Sequence, residues 1–149
     1  MPRILIYEDH TDLRMALASL IGSTPEFELV GAFGDCLNVV AQCQALQPDV
    51  VLMDIEMPGR SGIEGLVELK RVLPATDVVM LTVFDDDERV FDAVCAGASG
   101  YLLKKTPPVR LLEALLEVGE GGAPMSPTVA RKVLNLFPQG KKSTAPDLA

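Results

Sequence analysis

The chain has 149 residues, 48% of them hydrophobic, with a mean hydropathy of +0.27 and a formal net charge of −8. This length and composition are typical of one folded domain with a full apolar core and exclude a disordered chain. No apolar run approaches the roughly 20 residues of a membrane span, and no signal peptide is predicted, so we expect a cytoplasmic protein without a membrane partner. The acidic balance argues against direct binding of this domain to nucleic acid phosphates.

Five apolar runs alternate along the chain with stretches whose apolar residues follow helical spacing. The runs predict strands at Arg3–Tyr7, Glu28–Phe33, Val50–Met53, Asp77–Thr82 and residues 101–104. The stretches after them predict helices at residues 11–22, 35–46, 62–73, 85–96 and 107–118. Such alternation with short connections indicates a doubly wound α/β fold, so we expect a five-stranded parallel sheet in the order 2-1-3-4-5, with helices on both faces.

Polar residues at the starts of these stretches predict the helix caps. Thr11 or Asp12 could cap the first helix and Asp35 the second, while the acids of residues 85–88 suit the positive end of the fourth. The cysteines form no close pairs and lie among apolar residues, so we expect buried, reduced thiols. They are Cys36, Cys43 and Cys95.

The composition changes after the fifth predicted helix. Residues 119–122 interrupt the helical pattern, and Ser126-Pro127 predicts one more short helix ending near Phe137. Residues 138–149 have the polar, basic composition of a linker. We therefore expect a main domain at residues 1–122, a helical extension at residues 123–137, and a linker at residues 138–149 that leads to a further, missing domain.

The third predicted strand runs directly into Asp54. Four consecutive apolar residues indicate a strand buried on both faces, and in such sheets the ligand crevice lies beyond the carboxyl ends of the strands. The order 2-1-3-4-5 places the first and third strands side by side. Glu8 and Asp9 follow the first strand, so the fold is expected to bring three carboxylates together.

Three neighbouring carboxylates repel each other unless a cation neutralises them. Mg²⁺ prefers oxygen ligands and commonly combines one or two carboxylates with phosphate oxygens, so we expect it here. Asp54 would then be both metal ligand and nucleophile, attacking phosphorus to form an acyl phosphate. Lys104 could neutralise charge on the moving phosphoryl group, and the hydroxyl of Thr82 could donate a hydrogen bond to it.

These residues, in this order, resemble the receiver domain of two-component response regulators. The resemblance covers about residues 2–137, and the run from Gly97 to Lys104 with the helix after Ser126 is similar to the NarL/FixJ (LuxR-type) class. In that class a linker joins the receiver to a helix-turn-helix DNA-binding domain. The matching positions are Glu8-Asp9, Asp54 with Met57-Pro58-Gly59 and Gly62, Thr82, Tyr101, and Lys104.

The resemblance implies a flavodoxin-like receiver fold and a function in signalling rather than as an enzyme. Asp54 would accept a phosphoryl group from a sensor histidine kinase, with Mg²⁺ also bound by Glu8, Asp9 and the backbone carbonyl of Glu56. Homodimerisation on phosphorylation and transcription regulation are expected, with DNA bound only through the missing output domain.

The same resemblance implies a switch at the far side of the site. Tyr101 would turn inward as Thr82 moves towards the phosphoryl group, which would remodel the surface of the fourth helix, fifth strand and fifth helix. Lys105 departs from the pattern, because receivers often have proline directly after the lysine that matches Lys104. The bulky acid Glu56 lies two residues beyond Asp54 and could hinder attack by water on an acyl phosphate.

Two other functions remain open at this point. An Mg²⁺-dependent phosphohydrolase of the haloacid dehalogenase type also uses an aspartyl nucleophile, and Asp54-Ile55-Glu56 loosely imitates its acid pair. That class would place its nucleophile after the first strand, which leaves Glu8-Asp9 unexplained. The second alternative is a receiver-like interaction module that never accepts phosphate. Locally, His10 could be a surface residue and Tyr101 could simply pack on the sheet.

Overall fold

The computed structural model describes residues 1–137, and the predicted linker lies outside the described residues. Five parallel strands form one sheet in the order β2-β1-β3-β4-β5, which confirms the predicted topology. The strands are β1 (Arg3–Tyr7), β2 (Glu28–Phe33), β3 (Val50–Met53), β4 (Asp77–Thr82) and β5 (Gly100–Leu103). The helices are α1 (Thr11–Gly22), α2 (Val39–Leu46), α3 (Gly62–Val72), α4 (Asp87–Cys95), α5 (Pro108–Gly119) and α6 (Pro127–Leu136).

The sheet separates two apolar layers, because successive side chains of a strand point to opposite faces. In β1, Ile4 and Ile6 belong to the layer that packs against α1 and α5. Leu5 and Tyr7 belong to the other layer, which contains buried residues of α2, α3, α4 and α6. The predicted helices on both faces are therefore confirmed, and the additional helix joins the face of α4.

Two predicted helix caps are wrong. α1 is capped by His10, whose Nδ1 accepts a hydrogen bond from the Leu13 N–H at 3.3 Å, and Thr11 is the first helical residue. α2 begins only at Val39, because the Asp35 carboxylate accepts from the Leu37 N–H in the loop before it. In both places several polar residues lie in sequence, and each could have served as the cap.

The prediction for the cysteines holds for Cys36 and Cys43, which are buried free thiols, and is wrong for Cys95, which is exposed. α4 turns Val90 and Ala93 towards the core, and Cys95, the last residue of the helix, falls outside that stripe. Both buried thiols sit in the layer beneath α2 and α3.

Smaller differences concern the end of the sheet. β5 ends at Leu103, so Lys104 follows the strand rather than ending it. No peptide bond in the described chain is cis, and the Lys104–Lys105 bond is therefore trans. Among the helices of residues 1–137, none combines the length and the apolar character needed to cross a bilayer.

Candidate functional site

Three carboxylates meet at the carboxyl edge of the sheet, as the strand order predicts. The paired register of Tyr7 with Met53 places the residues after β1 beside the residue after β3. Carboxylate oxygens of Glu8, Asp9 and Asp54 all lie within 4.8 Å of one another. Glu8 and Asp54 are buried, with 1% and 4% of their surfaces exposed, whereas Asp9 is exposed.

Lys104 supplies the positive charge that this cluster requires. Its ammonium donates to Asp54 Oδ2 at 2.8 Å and lies 2.9 Å from Glu8 Oε1. Burial lowers the pKa of Lys104, but the hydrogen bonds to Asp54 and Glu8 outweigh it, so the pKa ends above its ordinary value and the side chain stays charged. Burial raises the pKa of Glu8, although Lys104 and the His10 N–H donate to its carboxylate.

The Asp54 carboxylate is held in a fixed orientation. The Asp54 Oδ1 accepts a hydrogen bond from the Ile55 N–H at 2.7 Å. The backbone N–H of Asp54 donates to the Tyr7 carbonyl oxygen at 3.1 Å. α3 starts close behind this loop, where Gly62 leaves no room for a side chain, since a Cβ there would overlap the Asp54 carbonyl oxygen. The capping box of Ser61 fixes that start.

A cavity of about 770 Å³ opens above the cluster. Its floor contains the acids and Lys104, and its rim contains the exposed residue Glu56 and the start of α1, including His10. The lining residues are Glu8, Asp9, His10, Thr11, Asp12, Leu13, Asp54, Glu56, Val83, Phe84 and Lys104. The cavity has room for a small anionic group together with a cation, and it opens to solvent.

Thr82 and Tyr101 lie behind this cavity and meet at one residue. Thr82 Oγ1 accepts from the Phe84 N–H at 3.3 Å, and the Tyr101 hydroxyl donates to the Phe84 carbonyl oxygen at 2.6 Å. Both side chains are fully buried, and burial raises the pKa of Tyr101 well above its ordinary value. Tyr101 is thus in the inward position, with its hydroxyl protonated at neutral pH.

Arg14 is a site residue that the sequence reasoning missed. Its Nη1 donates to the Glu8 carbonyl oxygen at 2.7 Å, which braces the turn carrying the acidic pair. Gly34 makes room for it, since a Cβ there would lie 2.8 Å from that nitrogen. The available signal was the position of Arg14, which is the only basic residue of α1 and lies about one turn after His10.

The donor set fits a hard divalent cation. Carboxylates are the ligands that Mg²⁺ prefers, and it commonly keeps several waters while binding only one or two of them. Exposed Asp9 offers the accessible ligand, and the buried pair of Glu8 and Asp54 supplies the negative charge. Lys104 offsets only part of that charge, so a cation is still attracted.

Comparison with known proteins identifies the family of this chain. The model of the response regulator receiver domain family matches residues 4–116. The transcriptional regulatory protein LiaR of Bacillus subtilis is 34% identical over 98% of this chain and 69% of its own length. The uncharacterized transcriptional regulatory protein YxjL of the same organism is 35% identical over 95% of this chain and 65% of its own length.

Solved structures agree in fold. A LuxR-family two-component response regulator from Aurantimonas sp. SI85-9A1 superposes with a TM-score of 0.84 at 28% identity, covering 91% of this chain and 96% of that one. A DNA-binding response regulator of the LuxR family from Staphylococcus aureus gives 0.75 at 30% identity, over 79% and 98% of the two chains. The chain spans about two thirds of the length of LiaR and YxjL. It belongs to the response regulator receiver domain family and is similar to members of the LuxR class.

Proposed function

We propose that the chain is a phospho-accepting signalling switch in which Asp54 receives the phosphoryl group. The observation that carries this proposal is the cluster of Glu8, Asp9 and Asp54 around the Lys104 ammonium at the floor of an open cavity. A buried carboxylate with one oxygen held by a backbone N–H and the other by an ammonium has a fixed orientation and a cation beside it. Those are the requirements of an aspartyl nucleophile.

A carboxylate oxygen of Asp54 would form the new bond to phosphorus while the bond to the donor breaks. With a phosphohistidine donor, the phosphorus–nitrogen bond breaks and the imidazole leaves with its electron pair and takes up a proton. Lys104 would move with the transferred group and neutralise charge on its oxygens. The Thr82 hydroxyl accepts from a backbone N–H and so keeps its own proton available to donate to a phosphoryl oxygen.

Glu8, Asp9, Asp54 and the backbone carbonyl of Glu56 would hold Mg²⁺. When bound, the ion would supply charge neutralisation for the incoming phosphoryl group. Lys104 also bridges Glu8 and Asp54, so this chain's own residues contribute to holding the cluster together. The metal and the lysine therefore share one task, which is to make two buried carboxylates compatible.

The switch would operate through the loop after β4. Thr82 and Tyr101 bond the two backbone groups of Phe84, so a Thr82 hydroxyl that turns to a phosphoryl oxygen releases the N–H of that residue. The surface of α4, β5 and α5 would change as the loop moves. This gives a signalling domain that promotes its own phosphorylation and dephosphorylation rather than an enzyme for separate substrates.

The proposed setting is a cytoplasmic two-component system with a sensor histidine kinase as donor. Residues 1–122 would be the receiver, residues 123–137 its helical extension, and residues 138–149 a linker to an output domain. The names of its relatives, transcriptional regulatory proteins, support DNA binding by that output domain and not by the acidic receiver. Homodimerisation on phosphorylation is part of the proposal.

A phosphohydrolase is the weaker alternative, because Asp54 follows β3 and the acids after β1 complete its site. The test of the proposal is intact mass after incubation with phosphoramidate and Mg²⁺, beside Asp54→Ala. We expect a gain of one phosphoryl group in the parent and none in the variant. A folded parent that gains nothing would favour the phosphate-independent module, and steady release of phosphate from small esters would favour the hydrolase.

A further inference from the structure

β5 is an edge strand, and its outer side is covered by the returning chain at residues 124–126, which we call the clip. The Tyr101 N–H donates to the Pro124 carbonyl oxygen at 2.9 Å, and the Ser126 N–H donates to the Tyr101 carbonyl oxygen at 3.1 Å. Gly100 permits this approach, since a Cβ there would lie 2.7 Å from the Pro124 oxygen. The clip therefore satisfies the backbone groups that an edge strand would otherwise expose.

The side chain of Ser126 extends this pairing to Leu103, two residues further along β5. Its Oγ accepts from the Leu103 N–H at 3.0 Å, in a hydrogen bond that is buried. The next N–H along the chain, that of Lys104, donates in the opposite direction to the Thr82 carbonyl oxygen at 2.9 Å. The N–H groups of Leu103 and Lys104 are thus anchored on opposite sides of the chain. They lie directly at the point from which the Lys104 side chain extends to Asp54.

α6 follows the clip and packs against α4, which holds the clip beside β5. Val129 is fully buried in the same apolar layer as Tyr101, Val90 and Ala93. Lys132 contacts Asp87 of α4 at 3.0 Å, and the rings of Phe91 and Phe137 stack with centroids 5.3 Å apart. Tyr101 is consequently held from two sides, by the clip at its backbone and by Phe84 at its hydroxyl.

We propose that Ser126 is a positioning residue for phosphoryl transfer, which fixes the end of β5 so that Lys104 faces Asp54 and Tyr101 stays inward. The inference rests on the proposed function of Asp54 and extends it to the helical extension. It follows that an event that lifts α6 off α4, such as binding of the output domain or of a second copy, would slow phosphorylation.

The test compares Ser126→Ala with Ser99→Ala and Ser126→Thr. Ser99 is a matched control, because its Oγ also accepts a hydrogen bond from a strand N–H, that of Val78 at 3.3 Å. This bond lies at the amino end of β4, at the edge of the sheet opposite to Asp54. Phosphorylation by phosphoramidate with Mg²⁺ is followed by intact mass. The inward position of Tyr101 is followed without phosphate by NMR of ring-labelled tyrosine, which is simple because the chain has two tyrosines. Tyr7→Phe assigns the signals.

We expect Ser126→Ala to phosphorylate about tenfold more slowly and to shift the Tyr101 resonance, with both readouts restored in Ser126→Thr and unchanged in Ser99→Ala. Equal rates and spectra in the two alanine variants would overturn the proposal. So would a threonine variant as impaired as the alanine variant, because the hydroxyl would then not be the cause. A parent that accepts no phosphate would refute the function of Asp54, while the tyrosine spectrum would still decide the role of Ser126.

Discussion

Replacing Lys104 by methionine tests whether this ammonium holds the acidic cluster together. The substitution keeps most of the aliphatic volume but leaves Glu8 and Asp54, whose side chains alone are 2% and 5% exposed, without their shared cation. Removing one partner of a buried ion pair costs about 3–5 kcal/mol. Lys104 is 19% exposed at the floor of an open cavity, so we expect the lower end, about 3 kcal/mol, or roughly 6–12 °C in Tm.

The measurement is urea unfolding of the metal-free protein in the presence of a chelator, followed by circular dichroism. Lys105→Met is the matched control, because that neighbouring lysine is exposed, and we expect its free energy of unfolding to change by at most about 0.5 kcal/mol. A titration with Mg²⁺ then adds a second comparison. The ion should stabilise Lys104→Met more than the parent, since it would neutralise charges that the parent already partly neutralises.

Equal losses of stability in the two methionine variants would show that Lys104 does not hold the carboxylates. If Mg²⁺ stabilised Lys104→Met no more than the parent, the ion would not be bound by the three acids. Either result would contradict the electrostatic account of the site, and neither depends on phosphorylation.

Three further predictions follow from the same geometry. Gly62→Ala should lower the free energy of unfolding, measured by urea titration, by at least about 3 kcal/mol, because the added methyl group would overlap the Asp54 carbonyl oxygen. Gly119→Ala is the control: nothing lies within 4 Å of its added Cβ, so we expect it to be neutral or slightly stabilising. Arg14→Met should weaken Mg²⁺ binding about tenfold by calorimetry, through loss of its brace on the acidic turn, with exposed Arg71→Met unchanged. Glu56→Ala should speed loss of the acyl phosphate about fivefold by intact mass, because a charged side chain on the rim no longer hinders water; an unchanged lifetime would exclude that role.

The sheet and the meeting of its carboxylates could be predicted from the sequence because they depend on strong local patterns. Buried parallel strands need uninterrupted apolar runs, and Val50–Met53 is such a run directly before Asp54. Once five strands alternate with helices, few topologies are possible, and the common one places β1 beside β3. The contact of Glu8 and Asp9 with Asp54 follows from that neighbourhood alone.

Helix starts were predicted less well because a cap depends on one hydrogen bond. His10, Thr11 and Asp12 are consecutive polar residues, and each can accept from an N–H in the first turn. The Glu8 carboxylate accepts from the His10 N–H at 3.0 Å, which links the cap of α1 to the acidic cluster. This contact forms only in the folded protein, so the spacing of apolar residues could not predict it.

The clip could not be predicted for a related reason, and it changes how the helical extension is understood. In the sequence, residues 123–137 follow a glycine break and predict only a short helical extension before the linker. In the fold they return to β5, where Ser126 bonds the Leu103 N–H and the Tyr101 carbonyl oxygen. Because the backbone before Lys104 and that of Tyr101, the proposed switch residue, share this support, residues 124–137 contribute to the stability of the sheet edge. A signal formed at Asp54 would then reach residue 137 through β5 and α6 before any linker begins.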